Sequence, residues 1–257
     1  MVLQAWETTR PHSIEKGCTV DLGRSKGDDV NAEDSTAEQS AEHLTDSDEL
    51  SQTVAVEEDE TLQWDSWDAA FAREEGPYDI EEVDLDADTV KRLDLGTLII
   101  TPFDKMNLQL QVDKAKEKVQ ALLISDGASA MEVAVFAGPT RASMVSEIRG
   151  EIIRATADAK GKVEMVDGPF GSELRRRLPV TTPEGKAATH LSRTWLVGGP
   201  GWVLRGVVMG RAALEPDNEE ADSALWEFYS NLVVRRGQKP AVPGSVLTMD
   251  VPQLDQK

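Results

Sequence analysis

The feature that most constrains this chain is a series of short apolar segments, broken by tight-turn residues, on either side of one amphipathic stretch. Asn107–Asp113 (N-L-Q-L-Q-V-D) alternates, with Leu108, Leu110 and Val112 on one face and Gln109 and Gln111 on the other. That period of two marks a strand with one solvated face. Thr97–Thr101 before it, stopped by Pro102, reads as a strand, and so do Val119–Ser125 and Ser129–Ala137 after it. Connections this short predict an antiparallel meander. A second series follows: Lys162–Val166, Ser172–Val180, Ala188–Val197 and Gly201–Ala213, separated by Gly168-Pro169-Phe170-Gly171, Thr182-Pro183-Glu184-Gly185 and Gly198-Gly199-Pro200-Gly201. Between the two series, Met144, Ile148, Ile152 and Ala155 recur at helical spacing behind an N-cap at Ser143, with Arg149, Glu151 and Arg154 expected outward. A second helix is predicted over 216–231, with Ala221, Leu225, Phe228 and Leu232 as its buried stripe, and a last short strand over 232–235. The expected fold class is α+β: an antiparallel sheet of about eight strands, or two packed sheets, with two amphipathic helices on the outer face.

Charge separates this domain from what precedes it. Residues 1–90 hold 26 acidic and 5 basic side chains, a net of −21, whereas residues 91–257 hold 21 and 22, a net of +1. Residues 1–60 are polar and acidic and bury too little apolar area to offset the entropy of ordering, so they are expected to be a disordered leader. A near-neutral domain offers no bulk field to nucleic acid, and the leader would repel it. Within 61–96, Trp64, Trp67 and Phe71 fall on one helical face ahead of Gly76-Pro77, followed by an extended acidic lead-in. Two solvent-exposed tryptophans would be costly, so this helix is expected to dock on the main domain over 97–236 rather than face a partner. The tail from residue 237 is proline-bearing and expected to be flexible.

The chemistry is narrowed by elimination. The histidines are His12, His43 and His190, and the single cysteine is Cys18. One histidine and no cysteine in the domain rule out a four-ligand structural zinc site and a thiol nucleophile there. There is no G-x-S-x-G motif, and neither glycine-rich turn runs from a strand into a helix as a phosphate loop must. Asp84, Asp86 and Asp88 imitate a calcium loop, but Thr89 and Leu95 stand where its Gly and Glu are required. No metal, cofactor or catalytic residue is therefore assigned. A lone cysteine, an N-terminus without a charged, apolar secretory pattern and no long apolar run make the cytoplasm the expected location, with no membrane span.

Arginines remain the best clue to a site. Arg205 and Arg211 fall at matching parity on the predicted eighth strand, beside Val203, Val207 and Met209. A buried arginine must be paired. Either Arg205 pairs with an acid on a neighbouring element, for example Glu173, or Arg205, Arg211 and one of Arg175–Arg177 converge on an anion or on a partner's acids. Glu173 shares a strand face with Arg175 and Arg177, which suits an ion pair with Arg175. Other carboxylates in view are Glu132, Glu147, Glu164 and Asp167.

The segments G-P-Y-D-I-E-E-V-D at 76–84, L-D-L-G-T-L at 93–98, G-P-F-G-S-E-L-R at 168–175 and W-V-L-R-G-V-V-M-G-R-A-A at 202–213 resemble an actinobacterial family, the domain of unknown function 3710 (DUF3710). The resemblance spans roughly 73–236. It implies a cytoplasmic protein and carries over no catalytic residue or cofactor. The element order is similar, by analogy, to the Mog1/PsbP-like antiparallel fold, and fold does not decide function. The expected function is a non-enzymatic binding or adaptor domain whose acidic leader engages it or a protein partner. The alternative is a domain binding a small molecule or anion, or a weak hydrolase, through the arginine cluster.

Overall fold

A computed structural model describes residues 60–113 and 118–250, and the leader expected over 1–60 lies almost entirely outside them. Residues 60–70 form helix α1. A 3-10 turn at Arg73–Glu75 leads into β1 (Tyr78–Asp79), followed by β2 (Leu93–Asp94) and β3 (Leu98–Ile100). The long strands are β4 (Asn107–Asp113), β5 (Lys118–Ser125) and β6 (Ser129–Ala137), then β7 (Lys162–Gly168), β8 (Gly171–Thr181), β9 (Ala187–Gly199) and β10 (Trp202–Gly210). Helix α2 (Val145–Asp158) links the two series. The chain continues through α3 (Arg211–Leu214), α4 (Glu219–Ser230) and β11 (Val233–Val234).

The fold is α+β with antiparallel packing. Seven strands form one antiparallel sheet in the order β4-β5-β6-β10-β9-β8-β7. The two meanders thus join along β6 and β10, which makes β10 a central strand. The segment at 97–101 does not extend the first meander as expected. Its strand β3 pairs with β2 and β11 in a second, four-stranded sheet ordered β1-β11-β3-β2. Pro102 offers no N–H to a ladder, and residues 101–106 run without strand pairing before β4 begins.

The helices lie on opposite faces of the large sheet rather than together. On one face Leu225, Phe228 and Tyr229 of α4 pack with Met131, Val133, Trp195, Leu204 and Val208, and the small sheet adds Leu98, Ile100 and Val234. On the other, Val145 and Ile148 of α2 pack with Leu174, Leu196 and Val203. Gly206, in the middle of β10, gives the first face room: a Cβ there would stand 2.7 Å from the Tyr229 ring. Tyr229 thereby reaches the sheet backbone and donates its hydroxyl to the Leu204 carbonyl at 3.0 Å. Burial raises its phenol well above the ordinary value.

Two helix starts differ from expectation by a residue or more. Helix α2 begins at Val145, with Met144 at the N-cap, while Ser143 Oγ accepts from the Val145 amide at 3.3 Å. Helix α4 starts at Glu219, capped by Asn218, whose side chain accepts from the Glu220 amide. Among the described residues no helix is long and apolar enough to cross a membrane.

Candidate functional site

Strand alternation sends Glu173, Arg175 and Arg177 of β8 to the α4 face and Arg176 to the α2 face. Glu173 is buried, 1% exposed. It accepts from Arg193 Nε and Nη2 at 2.9 and 2.8 Å, from Arg175 Nε at 2.9 Å and from Trp195 Nε1 at 2.6 Å. Burial alone would push its carboxyl up, but the Arg193 bonds and charge, with Trp195 and Arg175, hold it below the ordinary value. Arg193 also donates to Asp222 at 2.6 Å and to the Ala212 carbonyl at 3.2 Å. Burial works against its charge, yet Glu173 and Asp222 raise its pKa. This buried network ties α3 and α4 to the sheet, and both carboxylate oxygens of Glu173 are engaged within the protein.

The arginines singled out from sequence do not converge. Arg205 meets Glu132 at 2.9 Å and not Glu173, because β10 pairs with β6, which sets Glu132 opposite Val207. Arg211 is not on the strand: β10 ends at Gly210, which has φ +80°, and Arg211 opens α3, where it pairs with Glu215 at 3.0 Å near the surface. Arg175 bonds Glu173, as described, and exposed Arg177 lies 3.7 Å from Glu164. The residue that accompanies Arg205 on the α2 face is Arg176, whose Nε donates to Thr156 Oγ1 at 2.9 Å. His190, on the same face, has its pKa lowered by burial and by the Arg176 charge.

Sequence reasoning missed Arg149. Expected on the outer face of α2, it is buried, 2% exposed. Its guanidinium binds Asp65 and Asp68 of α1, donates to Ser172 Oγ at 2.9 Å and lies 5.7 Å from the Trp64 ring centre. Asp68 also accepts from the Ser172 amide at 2.8 Å, and a Cβ on Gly171 would come within 2.8 Å of its carboxylate. Trp64, Trp67 and Phe71 are half-buried, and Phe71 meets Phe170 edge-on at 5.7 Å. The reason for the miss is physical. Helical periodicity reports which residues are apolar, whereas Arg149 is covered by a separate element that brings its own acids.

Beside α1 opens a cavity of about 540 Å³, lined by Asp68, Phe71, Phe170, Arg141, Ser143 and the Gly198–Pro200 turn. No group of three or more His, Cys, Asp or Glu side chains placed to hold a metal occurs among the described residues.

Comparison with known proteins adds a family and little beyond it. No curated protein matches the chain. A protein of known structure from Bacteroides thetaiotaomicron VPI-5482 matches at 11% identity with a TM-score of 0.34, over 57% of this chain and 47% of that one, so this chain spans about half of its length. Cyanobacterial PsbP (CyanoP) from Synechocystis sp. PCC 6803 matches at 9% identity and a TM-score of 0.34, over 59% of this chain and 97% of that one. Residues 76–257, which take in both sheets, α2 and α4, match a family described as a protein of unknown function. That match covers more than half of the chain, which therefore belongs to the DUF3710 family.

Proposed function

We propose that the domain is a non-enzymatic recognition module for acidic amphipathic helices, and that α1 occupies its groove in this chain. One observation carries the reading. Arg149 is buried on α2, inside the family-matched region, but both of its carboxylates, Asp65 and Asp68, come from α1, before residue 76. Without α1 the described residues of the matched region offer Arg149 only the Ser172 hydroxyl, and an unpaired buried guanidinium is expensive. A groove of this kind suits a helix that carries an aromatic stripe beside acids. The module acts as an adaptor by exchanging α1 for a partner's helix, and its setting is the cytoplasm, which the single-cysteine composition supports.

The test uses a labelled peptide spanning residues 60–75. Tethering gives α1 an effective concentration on the order of millimolar, so the intact chain should bind the peptide weakly. A Trp64→Ala/Trp67→Ala chain, with its own helix weakened, should bind it at least about tenfold more tightly. Adding Arg149→Met should remove that binding. A folded double variant that takes up no peptide would sink the proposal.

A further inference from the structure

The α2 face of the large sheet carries a second group of residues that the ion pairs above do not account for. Arg205 and Arg176 are both half-buried there. Glu132 is bound to Arg205, and among the described residues no carboxylate pairs with Arg176. The two cations act on each other, since burial and then the Arg205 charge lower the Arg176 pKa. Two polar atoms are also left over. Thr194 is fully buried, and its Oγ1 has no hydrogen-bond partner; nor has the buried Nε of Arg205. Buried polar atoms are nearly always satisfied, so each orphan calls for a reason.

The strand register brings these groups together. Thr194 stands opposite Leu174 on β8 and Val207 on β10. Arg176 is two residues from Leu174, and Arg205 is two residues from Val207. All three side chains therefore share one face, with Thr194 diagonal to each arginine. Diagonal neighbours lie about 7–8 Å apart, within reach of long side chains. His190, diagonal to Arg176 on the other side, has a depressed pKa and is counted as neutral at pH 7. Arg176, Arg205 and Glu132 then leave one positive charge. The same face continues in apolar side chains, half-buried Val207 and buried Met209, at the next positions along β10.

We propose that this face binds a small organic carboxylate bearing an apolar tail. The Arg176 guanidinium and Arg205 Nε donate to the carboxylate oxygens, the Thr194 hydroxyl supplies a third donor, and the tail lies along Val207 and Met209. A single net charge matches a carboxylate better than a doubly charged phosphate, and arginine forks suit its planar oxygens. Arg176 meets α2 at Thr156, about two turns from Arg149. Among the described residues neither Arg176 nor Arg205 shares a hydrogen-bond or ion-pair partner with Arg149, so the site stands whether or not α1 exchanges.

Calorimetric titration of the full chain tests the assignment with octanoate, 1-octanol and inorganic phosphate as probes. Octanoate should bind at one site per chain. Arg176→Gln should weaken it at least about tenfold, as the loss of a charged hydrogen bond requires. Arg176→Lys, which keeps the charge and protects folding, should fall between. Thr194→Val removes an orphan hydroxyl at constant shape. It should weaken octanoate several-fold while leaving the melting temperature equal or higher, a combination that a purely structural threonine would not give. No saturable octanoate binding up to about 10 mM overturns the proposal. So does equal affinity for octanol, tighter binding of phosphate, or undiminished binding by folded Arg176→Gln.

Discussion

Replacing Glu173 by glutamine keeps the shape of the side chain and deletes its charge at the centre of the buried network. The native carboxylate receives four hydrogen bonds, three from arginines and one from Trp195. Breaking one partner of a buried ion pair costs about 3–5 kcal/mol. Here the lower end applies, because Arg193 keeps Asp222 and the Ala212 carbonyl and the amide oxygen of glutamine still accepts one bond. About 3 kcal/mol is a large share of the roughly 5–15 kcal/mol that holds a domain folded. For a domain of this size it corresponds to a melting temperature lower by roughly 6–12 °C. Thermal and urea unfolding followed by circular dichroism at pH 7 would read it. The pH dependence supplies a second check. The Glu173 carboxyl is held below its ordinary value, so its stabilisation is complete above the unfolded carboxylate pKa of about 4.3 and lost as pH falls through the lower folded value. Wild type and Glu173→Gln should therefore converge in stability only once the pH has fallen below that lower folded value. Adding Arg193→Met to the variant should cost less than the sum of the single changes, since the two groups are coupled. A loss under about 1 kcal/mol at neutral pH, or a gap that does not close in acid, would refute the reasoning.

Two further outcomes follow from packing and from the clamp. Gly206→Ala should destabilise by about 1–3 kcal/mol in chemical denaturation, because its Cβ would stand 2.7 Å from the Tyr229 ring and a buried aromatic has no free space to retreat into. Arg149→Met should cost about 2 kcal/mol, less than a fully buried pair since Asp65 is half-exposed. It should also shift tryptophan emission to the red and open residues 60–76 to limited proteolysis, and unchanged emission and cleavage would argue against an arginine-held α1.

The local patterns were legible without coordinates. Alternation in Asn107–Asp113, the turn residues between strands and the amphipathic spacing behind Ser143 each depend on neighbours a few positions apart, and the corresponding strands and helix stand close to where those patterns put them. Charge partners were another matter. Glu173 beside Arg175 was readable, since the two share one face of one strand. Glu132 with Arg205 was not, because it depends on β6 lying next to β10, a choice made by strands 73 positions apart. Arg176 was only one of three candidates until the register put it, rather than Arg175 or Arg177, on the face of Arg205. Arg149 shows the limit most sharply. Its position in α2 follows from periodicity, but its burial follows from α1 settling over it with two carboxylates. Period and turn chemistry are properties of a stretch of chain, whereas which charges meet is a property of the packing, where desolvation leaves an arginine only as many partners as the tertiary fold brings within reach.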